Sequence, residues 1–444
     1  MLKNARPVTK TQLKAFEKQY DSRPENLAYT AALSKSEMAD AVFSPADASK
    51  LPSTFSLEVK TRGITNQMAS GRCWLFASMN LMREKIAEKC GLEKFELSGN
   101  YFAFYDKFEK INFFLESVLD TADLPVGDRT LDWLMHSFGD GGQWDMMVAI
   151  VEKYGVVPYD VMPETYQSSH TRSFHQMMTM RMRKCAVELR ALVQAGKEDE
   201  ARSRKNEMLG EFYSALCICF GKPVSRFDFE YRDKDDVFHA DRGLTPQEFC
   251  RKYVDIDLKD YVSVINAPTA DKPYHKTYTV KYLGNVIGAP IRYLNVTMDE
   301  MKGLAVRQLQ DGEPVWFGSD CGKYGSRKDG LWDPSSFGYD RLFGMDFSLT
   351  KEERLDYGDS AMNHAMVICG VNLDGDGKPN RWKIENSWGD EAGRKGYYVA
   401  SDRWFEDYTY QVIIRKKYLK EEWLKELAKR PVELEPWDPM GTLA

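Results

Sequence analysis

Gln67-Met-Ala-Ser-Gly-Arg-Cys73-Trp-Leu-Phe-Ala-Ser78 places a single cysteine where a glycine-containing turn runs into a strongly apolar helical pattern. The first N–H groups of a helix have no internal partner, and the helix dipole adds positive potential there. Both favour a thiolate at Cys73, and the thiolate is the nucleophilic form. Gln67, six residues upstream, can fold its side-chain amide back to the same point. The stretch therefore offers a nucleophile, a helix terminus and a donor for a developing oxyanion. A free cysteine is ordinarily a small buried hydrophobe. The Gln, the Gly71 turn and the Cys73–Trp74 pair favour chemistry instead, provided a histidine lies within reach.

Six histidines are available: His136, His170, His175, His239, His275 and His364. The first five stand in helical or loop contexts without other chemistry nearby and read as structural or surface residues. His364 opens the apolar run Ala365-Met-Val-Ile-Cys-Gly-Val371, which sets an imidazole at the start of a buried strand, a rigid mount for a general base. The turn Leu373-Asp-Gly-Asp-Gly-Lys-Pro379 follows, and then the strand Arg381-Trp-Lys-Ile-Glu-Asn386. A hairpin centred on Gly375 puts Asn386 about opposite His364, give or take a residue or two. Its amide oxygen can accept one imidazole N–H and turn the other nitrogen toward the thiol. Trp388 falls on the same face and can shield that contact from water. Asn372-x-Asp374-x-Asp376-Gly377 resembles the start of a calcium loop, but the required acid falls on Lys383, so a plain hairpin turn is the better reading.

Outward from Cys73, the spacing of Leu75, Phe76, Met79, Met82 and Ile86 predicts a helix to about Lys89, capped by Gly91. Further helical patterns cover 100–119, 145–154, most of 166–220 and 417–429. Gly139-Asp-Gly-Gly142-Gln-Trp is a turn. It lacks the Gly-Lys-Ser/Thr of a phosphate loop. Strand patterns dominate from residue 313, separated by Gly/Asp clusters as in an antiparallel sheet. The first 50 residues are polar, with a helix start at Thr11, and read as a leader that wraps the surface. A chain of 444 residues exceeds one simple core. The net charge of −6 opposes sequence-blind binding to nucleic acid, and the basic run Arg181-Met-Arg-Lys184 reads as a solvated helix face. No apolar run approaches the length of a membrane span. No secretion signal or Cys-x-x-Cys pair is read, so the eight scattered cysteines are expected reduced, as in a cytosol.

Gln67 to Cys73-Trp74, Gly141-Gly142 before a Trp, Asn363-His364-Ala365 and Asn386-Ser387-Trp388-Gly389 occur in the order of the papain-type cysteine peptidases, which the chain resembles. His364 follows Cys73 by about 300 residues, against roughly 130–150 in that family, so about 150 are extra. Ser70 stands where secreted members usually carry a cysteine. Both departures are similar to the intracellular bleomycin hydrolase / aminopeptidase C branch, as is the tail Pro436-Trp-Asp-Pro-Met-Gly441.

The resemblance implies an α+β papain-like fold, a helical half plus an antiparallel β half, with a large mainly helical insertion. The expected segments are a wrapping N-terminus (1–60), the helical half (61–165), the insertion, taken as the oligomerisation segment (166–290), the β half (291–425) and a tail reaching the cleft (426–444). It implies Cys73 as nucleophile, His364 as base, Asn386 as its orienter, and Gln67 with the Cys73 N–H as oxyanion donors. Gly142, Asn363 and the carboxylate of Ala444 are implied to bind substrate. The expected activity is removal of N-terminal residues from peptides with a free amino group, and possible further substrates are bleomycin-like amides. No cofactor or metal is implied, and the assembly is expected to be a cytoplasmic homohexamer. An endopeptidase and a nucleic-acid-binding protein are the competing readings.

Overall fold

The computed structural model describes residues 4–444 and divides into two compact units. The smaller comprises residues 4–51 with Asp333–Ser348. It carries helices Lys10–Asp21 and Glu25–Leu33. The first is capped by Thr9, two residues before the expected Thr11, because Thr9 and Gln12 form a reciprocal capping box that satisfies the free N–H groups. Phe43 packs edge-on against Phe337 at 5.5 Å within this unit.

The larger unit, Pro52–Trp332 with Leu349–Ala444, holds the motifs. Helix Cys73–Cys90 ends at Gly91, whose φ of 64° is the left-handed cap that glycine supplies without strain. Trp74, Leu75, Phe76, Met79, Met82 and Ile86 are all buried; the first two turns are enclosed on every side, while Lys85, Glu88 and Lys89 face solvent further on. Helix Gly99–Asp120 packs beside it, and the inserted helices Arg172–Gln194 and Glu198–Phe220 pack on Gly99–Asp120. Phe104, Ile111, Leu115, Leu189, Phe212 and Leu216 fill the core between them.

The main sheet runs, in spatial order, Val432–Leu434, Thr277–Val280, Tyr293–Asn295, Tyr261–Ile265, Thr409–Arg415, Val315–Ser319, His364–Leu373, Pro379–Glu385 and Tyr397–Ser401. Most neighbours are antiparallel, and Tyr261–Ile265 runs parallel to Tyr293–Asn295. The Cys73 helix packs with Trp316, Ala365 and Val367 in one core, while Phe317, Met366, Ile368 and Trp404 belong to a second. The alternation along each strand thus feeds two cores.

The hairpin register differs from the expected one. Val367 faces Glu385, not Lys383, because the turn is centred later than Gly375; the irregularities at Ile368/Gly370 and Asn372/Leu373 offset one another. Asp374 closes that turn by accepting N–H bonds from Asp376 and Lys378 at 3.0 and 2.8 Å. Among the described residues no helix is long and apolar enough to cross a membrane.

Candidate functional site

Cys73 is the first residue of its helix, preceded by Arg72 in a non-helical cap conformation. Its sulfur lies against the sheet and accepts the Ala365 N–H at 3.4 Å. The thiol therefore touches the residue that follows His364. His364 is pinned from two sides. On one, its strand pairs with Val315–Ser319, His364 facing Ser319. On the other, the ring Nε2 and Asn386 Oδ1 are 2.8 Å apart. Asn386 Oδ1 also accepts the Ser387 N–H at 2.8 Å, which fixes the amide with its oxygen toward the ring. An acceptor at Nε2 assigns the proton there and leaves Nδ1 as the imidazole's free basic nitrogen. The expected Asn386–His364 contact thus forms, although the two residues are not strand partners. Extending the observed register sets His364 opposite Trp388, and the two rings stack at 4.8 Å with 29° between planes.

Gln67 is buried, and its amide is oriented at both ends. Nε2 donates to Ser70 O at 2.6 Å, and Oε1 accepts from Ser387 Oγ at 2.7 Å. Nε2 carries two hydrogens, so one N–H remains for a ligand. Ser387 was part of the motif but had no role in the sequence reading; its hydroxyl decides which way the Gln67 amide faces.

Burial acts on both members of the central pair. It pushes the Cys73 thiol up to about 11, against the lowering effect of N–H bonds from Ala365 and Trp74. It pushes the His364 imidazole down to about 4, against the hydrogen bond to Asn386. Desolvation thus works against charge on either group and opposes the helix terminus at Cys73, contrary to the expectation from the sequence.

The two glycines differ in what they accommodate. A Cβ on Gly142 would lie 2.4 Å from the Trp74 ring, so glycine lets the loop close over that indole. A Cβ on Gly141 would lie 2.1 Å from the Leu443 carbonyl oxygen, so it is Gly141 that the chain end approaches. Thr442 Oγ1 donates to Met362 O at 2.8 Å, two residues before His364. Met440 and Leu443 are buried in the same core as Cys73. The tail therefore ends between the diglycine loop and the segment leading to His364. Ala444 lines a recess with Lys110, Phe113, Trp133, Phe138 and Leu283. Asn363 is exposed, but its amide is already used, donating to Asp320 Oδ1 at 2.5 Å and accepting the Cys321 N–H at 3.1 Å.

Residues 7–441 match the model of the Peptidase C1-like family. An aminopeptidase C of Listeria innocua serovar 6a is 46% identical over 439 residues, covering 98% of this chain and 99% of that protein. An aminopeptidase C of Lactobacillus delbrueckii subsp. lactis is 49% identical over 400 residues, 89% of each chain. The crystal structure of PepW from Lactobacillus rhamnosis HN001 is 47% identical, covers 99% of each chain and superposes with a TM-score of 0.97.

Proposed function

The chain belongs to the Peptidase C1-like family and is a cysteine aminopeptidase, and on that footing we propose that Cys73 is its nucleophile, His364 its general base, Asn386 the orienter of the imidazole, and Gln67 with the Cys73 N–H its oxyanion donors. The α+β architecture is papain-like. The Cys73 sulfur attacks the carbonyl carbon of the first peptide bond while its proton passes to His364 Nδ1. The carbonyl oxygen becomes an oxyanion against the two donors. Collapse breaks the C–N bond, His364 returns the proton to the leaving amine, and a thioester on Cys73 remains. Water, deprotonated by His364, attacks the thioester, which frees the N-terminal residue and restores the thiol. Charge that develops inside the site is stabilised by fixed donors better than by bulk water.

The single observation that carries the restriction to N-termini is the Leu443 carbonyl against Gly141, with Thr442 held by Met362 O. A chain end there occupies the path of any residue preceding the scissile one. Its Ala444 carboxylate is the natural partner for the substrate's α-ammonium group, with Gly142 and Asn363 as flanking contacts. By the family reading the assembly is a cytoplasmic homohexamer whose partners are peptides with free N-termini, and bleomycin-like amides fall within its chemistry. The test is a kinetic series of free and N-acetylated peptides on the wild type and on Cys73→Ala. Free peptides alone should turn over, and only with Cys73 present; equal rates on both peptide classes would remove the carboxylate anchor.

A further inference from the structure

Asp140 is an acid to which the reaction gives no part, yet it holds the backbone before Cys73 and the indole after it. Its carboxylate is buried, with a side chain 5% exposed. Oδ2 accepts the Gly71 N–H at 2.8 Å and the Thr171 hydroxyl at 2.5 Å. Oδ1 takes the Lys107 ammonium, itself 1% exposed, and lies 3.2 Å from His175 Nε2. Its backbone carbonyl accepts the Trp74 indole N–H at 2.7 Å. Gly71 and Trp74 bracket the Arg72–Cys73 peptide, whose N–H is one of the two oxyanion donors. A Cβ at Gly71 would lie 2.9 Å from Asp140 Cβ, so the glycine of the nucleophile turn is what admits the carboxylate.

We propose that Asp140, with Lys107 as its counter-ion, is a positioning residue that sets the Cys73 N–H for the oxyanion; this rests on the roles proposed above for Cys73 and its N–H. The grip needs a carboxylate. Lys107 donates to one oxygen, and Gly71 and Thr171 donate to the other. An amide of the same shape has a single oxygen and would turn two N–H groups toward this ring of donors. It would also leave Lys107 buried without a counter-charge. Burial works to raise the Asp140 carboxyl, but Lys107 and the hydrogen bonds around it hold it well below the ordinary range, so it is ionised. The other donor hangs on the same turn, since Gln67 Nε2 binds Ser70 O, one residue before Gly71. Arg72 is fixed by Ser70 Oγ and Glu164, each at 2.9 Å. With both flanks of this turn tied to Asp140 and Glu164, the donors stand preorganised before substrate enters.

The test separates a displaced N–H from a disturbed thiol. Alkylation of Cys73 by iodoacetamide needs the sulfur but creates no oxyanion. Addition of the thiol to leucinal, an amino aldehyde, places a tetrahedral oxygen at the donors. In Asp140→Asn, the alkylation rate and KM should stay within about threefold of wild type. The kcat for a dipeptide and the affinity for leucinal should fall together by about 10–100-fold, part of the loss seen when a donor is deleted outright. Undiminished leucinal affinity, or alkylation reduced as much as kcat, would overturn the assignment. Thr171→Val removes one donor from Oδ2 and leaves the ion pair intact, so it serves if Asp140→Asn does not fold; a two- to tenfold loss confined to kcat and leucinal is expected, and no loss would overturn it. Turnover by wild-type protein whose Cys73 has been fully alkylated would instead sink the nucleophile assignment itself.

Discussion

Leu443→Ala should open the cleft by an amount the packing allows to be worked out. Leu443 is 4% exposed and sits in the Cys73 core. Truncating a buried leucine to alanine costs 2–5 kcal/mol, and a chain end that can relax belongs at the low end, about 2 kcal/mol. That loss falls on the docked tail alone, because the undocked tail already exposes the side chain. The undocked population therefore rises about 30-fold, since 1.4 kcal/mol is a factor of ten. An N-acetylated peptide can be cut only by the undocked population, so its kcat/KM should rise by the same factor while docked molecules remain the majority. Thr442→Val deletes the bond to Met362 O, worth about 1 kcal/mol, and should raise the same rate about fivefold. Free dipeptides should respond in the opposite direction, because they lose the carboxylate that receives their amino group. The assay is initial rates on a matched pair of free and acetylated peptides for wild type and both variants. Acetylated-peptide rates unchanged in both, with the proteins folded, would refute the tail as the cleft's gate.

Three further outcomes are expected. Gln67→Ala should lower kcat about 100-fold, near 3 kcal/mol, with little change in KM, as measured by steady-state kinetics; an unchanged kcat removes Gln67 as an oxyanion donor. Arg83→Leu should cost about 3–5 kcal/mol in denaturant unfolding, because Glu385, buried against Arg83 at 2.8 Å, would lose its counter-charge one residue before Asn386. The acid limb of Cys73 alkylation should fall at about pH 4: burial holds His364 neutral above that pH, so its capacity as a base is lost only as pH falls through about 4, and a limb near 6.5 would contradict the burial.

The groups proposed to react were legible because each sits at a local signal. Cys73 stands at a helix start, His364 at the head of an apolar strand, and Asn386 at the end of the strand across a Gly/Asp turn. The register between the two strands was less legible. The turn is centred on Asp376 and not on Gly375, a choice that leaves no mark in the alternation, so Trp388 and not Asn386 falls opposite His364. Asn386 reaches the ring through its side chain. The Asp140 cluster was not legible at all. It gathers residues from four separate segments, Gly71, Lys107, Asp140 and Thr171 with His175, and no spacing in one stretch encodes a meeting of that kind. His175 read as a structural histidine, and it is one, but the structure it serves lies beside the nucleophile turn.

Burial and the helix terminus pull the Cys73 thiol in opposite directions. A free thiolate at Cys73 would expose the enzyme to oxidation and alkylation between turnovers. Burial works against that state, and this costs the reaction little. Moving one proton from Sγ to Nδ1 leaves the pair's net charge unchanged, so the low-polarity surroundings are not asked to hold an isolated ion. What must be stabilised is the charge that moves onto the carbonyl oxygen. In the proposed mechanism that falls to the Cys73 N–H and the Gln67 amide, which Asp140 contacts through Gly71 and Ser387 through Gln67 Oε1. The demand on this site therefore rests less on lowering a thiol pKa than on holding two N–H groups still. On that view substitutions at Asp140 and Ser387 should be felt in kcat more than in the reactivity of the thiol.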